Sequence, residues 1–372
     1  MATNLMPMSD LAIPPGEYLE EVLDSLGMSK DELAQRMGRP SPKLSAIFNG
    51  TKAITPETAL QLERATGVAA RIWSSLESEY RLIRARQKWE DERAALKGEE
   101  RQVNDYGFAS LVALGMVSDL QTPRERAEEL RRYFGVSALS NIATLRRYEP
   151  IFRSRRGRTA ADARAMAAWL RYAELKGQQI ECAPLDRRAL LASLADLRAL
   201  SCGQPQDYLP ALKSALAALG VAFVFIPPGV PQGARGAVFW LGPEKAVILL
   251  EDIDLCTDSF WIFVFHALGH VLLHAKEGTI VEWDKPEPQE TQREFEAGRF
   301  ALDTLIEPRI YQRFVARGVF TKPSIFQCAA ELTVHPALVL CRLQMEGFVG
   351  RDTPLNRLLH RVSAPVYVQG AP

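Results

Sequence analysis

Histidine is scarce in this chain, with five in 372 residues. The five cysteines, Cys182, Cys202, Cys256, Cys328 and Cys341, are scattered and odd in number. A disulfide framework and a thiolate metal knuckle both need cysteines in pairs, so neither is expected, and reduced thiols in a cytoplasm are the simplest reading. Net charge is also missing: 45 Lys and Arg balance 45 Asp and Glu. That excludes a whole-molecule attraction to nucleic acid and confines any such contact to a local patch. No apolar run reaches membrane-span length, and Met1 to Asp10 has no basic stretch leading into an apolar one. Neither a membrane segment nor a secretory signal is therefore expected. There is no internal repeat and no low-complexity tract. What remains is an ordinary globular composition, 47% hydrophobic and 24% charged, with length enough for two or three domains.

Three of the scarce histidines fall in one apolar run, Trp261 to His274, which reads as a buried helix. His266 and His270 are four apart and share a helix face. Two imidazoles so placed can hold one Zn²⁺ at about 2.0–2.1 Å. The spacing is that of His-Glu-x-x-His, in which the Glu activates metal-bound water. Here that position is Ala267, so the general base is missing. His274 lies roughly 12 Å from His266 along the axis, too far to share the ion, and is expected to support a ligand or end the helix. A third ligand must come from elsewhere. The acid-rich start of the next helical stretch, Glu290 to Ile306, offers Glu294 or Glu296.

The N-terminal hundred residues are punctuated as short helices. Pro14-Pro15 opens the first, with Leu19, Val22, Leu23 and Leu26 as its stripe, and Gly27 ends it. Ser29 caps a second, with Glu32 three residues on, and Gly38 stops it. Ser41 is expected to cap a third, with Pro42 at its first helical position. Thr55-Pro56 opens a fourth, and Ala70 to Leu96 reads as one long amphipathic helix, able to pair across a two-fold axis or pack on its own core. Two short helices joined by a tight Gly-containing turn make a helix-turn-helix, the third helix being the recognition helix. Between Leu33 and Pro56 stand four bases, Arg36, Arg39, Lys43 and Lys52, and no acid. Arg39, Ser41, Lys43, Ser45, Asn49 and Lys52 are the candidate DNA contacts.

Further along, Lys97-Gly98-Glu99-Glu100 reads as a polar break. Single helices are expected over Asn104–Gly115, Pro123–Phe134, Ala160–Leu175, Asp186–Leu200 and Leu209–Leu219. Arg146 to Arg158, with six Arg and one Glu, is a connector, a phosphate-contacting loop or a scissile segment. From Gly220 the period changes. Val221–Ile226, Ala237–Leu241 and Ala246–Leu250 read as strands of a small, largely antiparallel sheet, with a hairpin turn at Gly242-Pro243-Glu244-Lys245. A helical pair near Val334-His335-Pro336 closes the chain, and His335 and His360 are read as structural.

Two resemblances follow from these words. Leu33-Ala34-Gln35-Arg36-Met37-Gly38, Leu44-Ser45-Ala46-Ile47-Phe48-Asn49-Gly50 and Ile54 to Leu62 resemble the phage-repressor-type helix-turn-helix, in its HigA antitoxin branch, over roughly Pro14 to Gln87. The strands, His266-x-x-x-His270 with trailing His274, and Glu294-x-Glu296-Ala297-x-x-Phe300-Ala301 running to Leu305-Ile306-x-Pro308 resemble the ImmA/IrrE metallopeptidases, over roughly Leu209 to Pro308. That second resemblance implies His266, His270 and Glu294 as zinc ligands, Glu294 being preferred to Glu296. Ala267 departs from it, either as a natural pseudopeptidase or as a deliberate inactivating change. Gly298 departs too, standing where the family usually has Asn or Asp.

The expected fold is mainly α with a small α+β part: a five-helix helix-turn-helix domain (1–96), a helical middle (97–205) and a zincin-like domain with a short antiparallel sheet and helical tail (206–372). The expected function is a cytoplasmic, dimeric, DNA-binding regulator or antitoxin acting on operator DNA. Its C-terminal part would cleave itself or a partner protein if a Glu stood at 267, and is inactive with Ala267. The alternative is a non-catalytic repressor whose C-terminal part senses a ligand or binds a toxin.

Overall fold

The computed structural model describes residues 12–93, 97–153, 159–226, 234–252, 255–274, 278–283 and 291–362. They form two compact units, Met1–Gly98 and Glu99–Pro372.

The first unit is five helices: α1 (Pro15–Leu26), α2 (Lys30–Met37), α3 (Ser41–Phe48), α4 (Pro56–Thr66) and α5 (Ala70–Arg93). Their ends obey the local chemistry. Gly27, Gly38 and Gly67 sit at positive φ and return their N–H groups to the preceding turn. Ser29 and Thr55 accept the N–H three residues on. Ser41 differs from expectation. Pro40 takes the cap position, and the Ser41 hydroxyl, one residue inside the helix, donates to Asp31 on α2 at 2.9 Å. Leu19, Leu33, Leu44, Ile47, Leu62 and Trp73 fill the core. Gly16 is obligatory, because a Cβ there would meet the Phe48 carbonyl at 2.1 Å. Buried Glu77 on α5 accepts the Ile54 N–H at 3.0 Å and the Arg81 Nε–H at 2.7 Å, fastening the loop after α3. Trp73, Tyr80 and Ile83 turn inward, whereas neighbouring Ile72 is exposed.

The second unit is a four-stranded sheet with helices on both faces. Its strands are β1 (Val221–Ile226), β2 (Ala234–Gly242), β3 (Lys245–Glu251) and β4 (Ile280–Trp283), in the order β1-β3-β2-β4. The sheet is mixed: β1 runs parallel to β3, while β2 is antiparallel to both β3 and β4. The hairpin forms at Gly242–Lys245 as expected; the parallel pairing arises because β2 inserts on the far side of β3. Strands covered on both faces read as unbroken apolar runs, which hides their pairing direction from the sequence.

Alternation then divides the strand residues between two cores. Ala222, Val224, Ile226, Val247 and Leu249 face the middle helices, chiefly α6 (Pro123–Phe134) and α7 (Ala160–Gln179). Val221, Phe223, Ile248 and Leu250 face α8 (Pro205–Ala218), α9 (Thr257–Leu273) and the C-terminal helices. Residues 97–205, expected as a domain of their own, thus share a core with the sheet. The polar break expected at 97–100 falls where the two units divide, between Gly98 and Glu99, but it is a helical turn whose Glu99 is buried, accepting the Leu139 N–H at 2.8 Å and pairing with Arg131. Two expected single helices are broken. Gly107, at φ 65°, splits 103–113, and Ser193, whose hydroxyl bonds back to the Ala189 carbonyl, splits 187–199. Arg147 is no free phosphate ligand: it pairs with Glu174 and lies over the Phe239 ring. Residues 154–158 of that basic segment lie outside the described residues.

After α9 come α10 (Thr291–Leu305), α11 (Pro308–Val315), α12 (Lys322–Leu332) and α13 (Pro336–Met345). His335 caps α13 through its ring nitrogen, and its ring packs against that of His360. No single helix among the described residues is long and apolar enough to cross a membrane.

Candidate metal centre and nucleic-acid interface

The site in the second unit is built by the approach of α9 and α10. Gly269 on α9 allows it, since a Cβ there would stand 3.2 Å from Ala297 Cα and 3.1 Å from the Phe300 ring. With the helices this close, Glu294, one turn before Ala297, reaches the imidazoles of α9. His266 and His270 lie one turn apart with their Nε2 atoms 3.0 Å from each other. Glu294 Oε2 is 3.1 Å from His266 Nε2, and Oε1 is 3.6 Å from His270 Nε2.

A fourth residue joins them that the sequence reading missed. Glu282, on β4, shares the sheet face of Ile280, whose side chain enters the α9 core. Its Oε2 stands 2.9 Å from His266 Nε2 and its Oε1 3.1 Å from His270 Nε2. His266, His270, Glu282 and Glu294 offer ligand atoms all within 4.8 Å of one another. The available signal was a lone acid alternating with apolar residues in Ile280-Val281-Glu282-Trp283.

Glu296 belongs to a second layer. Its carboxylate meets His274 Nε2 at 3.0 Å, and His274 Nδ1 meets His270 Nδ1 at 3.0 Å. One tautomer set satisfies this chain. His270 Nδ1–H donates to His274 Nδ1, and His274 Nε2–H donates to Glu296. The His270 Nε2 lone pair is then left facing the cluster, as a metal ligand requires. His266 has no matching support on α10: a Cβ at Gly298 would lie 3.9 Å from its Nδ1, in ordinary contact, and glycine leaves that place empty.

The charges of the four side chains hold one another. For His266, burial disfavours the cation, but the Glu282 and Glu294 carboxylates outweigh it and push the imidazole up to about 10. For Glu294, burial opposes ionisation, yet both imidazoles hold its carboxyl down at about 2. Glu282 is likewise lowered against a burial penalty. Two observations bear on whether an ion fits. Glu282 Oε1 and Glu294 Oε1 are buried and face His270 Nε2 at 3.1 and 3.6 Å; with that nitrogen unprotonated, as a ligand must be, neither accepts a hydrogen bond, which costs stability unless a cation satisfies them. Each of the four residues also offers one ligand atom, and these atoms gather within 4.8 Å of one another around a common centre. The donor set, two imidazoles and two carboxylates, fits a divalent transition-metal ion.

Ala267, where a His-Glu-x-x-His motif would carry its Glu, is fully buried in the apolar core and carries no functional group.

In the first unit, α2, a turn at Gly38 and α3 form the helix-turn-helix. Ser41, Ser45 and Asn49, four apart, line the exposed face of α3, opposite buried Leu44, Ile47 and Phe48. Lys52 is exposed just beyond. Arg39, half-buried, donates to Gln61 at 2.6 Å, and Ser41 is held by Asp31, so both are partly committed within the fold. The Lys43 side chain lies outside the described residues.

This first unit defines a helix-turn-helix protein, and comparison with known proteins agrees. A helix-turn-helix family model matches residues 19–73. HTH-type transcriptional regulator YddM of Escherichia coli is 32% identical over 71 residues, 19% of this chain and 76% of that protein. Virulence-associated protein I of Dichelobacter nodosus is 36% identical over 85 residues, 23% of this chain and 75% of that protein. The chain belongs, through its N-terminal unit, to this helix-turn-helix family. Among solved structures, an antidote protein of a plasmid maintenance system from Nostoc punctiforme matches at 28% identity and TM-score 0.22, over 23% of this chain and 92% of its own. A HigA-family antidote protein from Coxiella burnetii matches at 34% identity and TM-score 0.21, over 22% and 89%.

Proposed function

We propose that the protein is a DNA-binding transcriptional regulator of the antitoxin kind, and that its second unit holds zinc through His266, His270 and Glu294 in a metallopeptidase-like frame without peptidase activity. The DNA-binding half rests on the helix-turn-helix, with Ser45, Asn49, Lys43 and Lys52 as contacts and Arg39 and Ser41 shared between DNA and the fold. Operator DNA is its ligand, and a homodimer would present two recognition helices to two half-sites. A salt-dependent mobility shift of the gene's own upstream DNA tests this. The Arg39→Ala, Lys43→Ala double variant should lose it, and an unchanged shift removes the recognition-helix assignment.

One observation carries the metal half: two imidazole Nε2 atoms and a carboxylate from a separate helix converge within hydrogen-bonding distance in a buried place. A zinc ion held by His266, His270 and Glu294 would supply Lewis-acid chemistry to a carbonyl and to water. That chemistry needs a base on the water. A methyl group at 267 cannot be one, and the position is sealed in the core. This favours a sensing or toxin-binding unit over a working protease. Metal analysis of the full-length protein should find one zinc per chain, and a His266→Ala, His270→Ala variant should hold none. An intact protein with no zinc after purification and reloading would refute the assignment. Peptide hydrolysis by the zinc-loaded protein would refute the inactive reading alone.

A further inference from the structure

The place of Glu282 distinguishes a zinc centre that could work from one that is sealed. Catalytic zinc is held by three protein ligands and keeps its fourth position for water; structural zinc is held by four. Here each Glu282 oxygen addresses one imidazole, at 2.9 Å from His266 Nε2 and 3.1 Å from His270 Nε2. Its approach is tighter than that of Glu294, at 3.1 and 3.6 Å. Its side chain is only 9% exposed. We propose that Glu282 is the fourth protein ligand, closing the centre into a two-histidine, two-carboxylate site for a tightly held divalent cation. The inference rests on the metal half of the proposed function and deepens it.

Charge supports the closed set. A buried ion is tolerated when its charge is cancelled locally. Two neutral imidazoles and one carboxylate leave a dication with one unit of positive charge. The second carboxylate brings the centre to zero, with no hydroxide needed. It also gives Glu282 Oε1 and Glu294 Oε1, which have no donor when His270 Nε2 is unprotonated, a cation to satisfy them.

Position supplies the consequence. β4 is the edge strand of the sheet, bonded on one side to β2 alone. Glu282 pairs in register with Gly236, where any side chain would strike the Phe263 ring of α9. Ligation by Glu282 would therefore tie the sheet edge to α9 and α10 through the ion. The metal becomes a fastening of three elements and not a reagent.

Cobalt(II) substitution of the full-length protein tests this, because the visible spectrum of Co²⁺ reports coordination number and added azide reports an open position. The wild type should give a four-coordinate spectrum unmoved by azide. Glu282→Ala should bind Co²⁺ and Zn²⁺ at least tenfold more weakly and respond to azide; Glu282→Gln, of the same shape, guards against misfolding of the alanine variant. A wild-type spectrum that shifts with azide, or undiminished affinity in folded Glu282→Gln, overturns the fourth-ligand assignment while leaving the three-ligand site standing. Peptide hydrolysis by the zinc-loaded wild type that is lost in Glu282→Gln would overturn it too, by making Glu282 a relocated base. Failure of the wild type to bind either metal would sink the underlying metal reading and this one with it.

Discussion

Changing His274 to Phe should weaken zinc binding tenfold to a hundredfold without touching a ligand. His274 is buried at the C-terminal cap of α9, and its backbone N–H bonds the His270 carbonyl, an interaction the substitution leaves alone. Phenylalanine keeps a planar ring but cannot accept the His270 Nδ1–H now lying 3.0 Å away. His270 has no exposed surface, so no water replaces the lost acceptor. A buried donor left unsatisfied costs about 1–3 kcal/mol. Independently, removing the outer partner of a metal-bound histidine costs about 10–100-fold in affinity, which is about 1.4–2.8 kcal/mol at about 1.4 kcal/mol per tenfold. The two routes agree. Competition with a chromophoric chelator gives the Kd, and thermal unfolding with and without zinc shows whether the loss is in the metal-bound state. Glu296→Gln is the graded control: that side chain is 46% exposed, so water substitutes and the loss should stay below tenfold. An unchanged zinc Kd in a folded His274→Phe protein would refute the relay and the tautomer assigned to His270.

Three further outcomes are expected. Gly269→Val should destabilise the second unit by about 1–3 kcal/mol, because the Phe300 ring can yield to a new side chain but the Ala297 backbone cannot. Gly269→Ala should come closer to neutral in thermal unfolding, as the helix-propensity gain of about 1 kcal/mol offsets part of the crowding, and equal effects of the two would contradict the close approach. Glu77→Ala should cost the first unit about 1–3 kcal/mol by stranding the buried Ile54 N–H. Denaturant unfolding of the full chain measures this, and a change under 0.5 kcal/mol, the usual surface limit of about ±0.5, would refute it. Zinc uptake should release protons at pH 7, since His266 is held protonated by a value of about 10 and must bind as the neutral ring. In the metal-free protein the His266 contribution to stability is fully present below 6.5 and is lost as pH rises through about 10. The Glu294 contribution is present above 4.5 and is lost as pH falls toward about 2. Calorimetry in buffers of different ionisation heat counts the protons, and none released at pH 7 would contradict the charge state.

Local chemistry explains which features were legible in the sequence. The first unit is written in caps and stops, such as Ser29, Gly38, Thr55 and Gly67, which act within one helical turn and so survive in a linear reading. Ser41 was misplaced by one position because Pro40 can end an extended segment as well as Ser41 can, and only the Asp31 contact across the turn decides between them. In the second unit the three long strands were visible as apolar runs. Their parallel pairing was not, because it depends on which side of β3 the inserted β2 settles. Gly107 and Ser193 broke helices whose apolar spacing continued across the break, so periodicity alone could not find them.

The cluster separates the same two kinds of information. His266 and His270 are one turn apart, and helix geometry alone puts them together. The acids that open the next helix make Glu294 and Glu296 alternatives, and only the metallopeptidase resemblance prefers Glu294; the close approach at Ala297 is what brings it in. Glu282 could not be anticipated. Its four-residue strand is too short to announce itself, and its arrival depends on a register with Gly236 that was set more than forty residues earlier. Yet the missing base and the unforeseen acid address one chemical question. A hydrolytic centre needs an open vertex and a base beside it. Ala267 removes the base, and Glu282, as proposed, fills the vertex. Restoring Glu at 267 alone would then put a second carboxylate into a sealed, apolar position with no water to act on. It should destabilise the fold without giving hydrolysis unless Glu282 is removed at the same time.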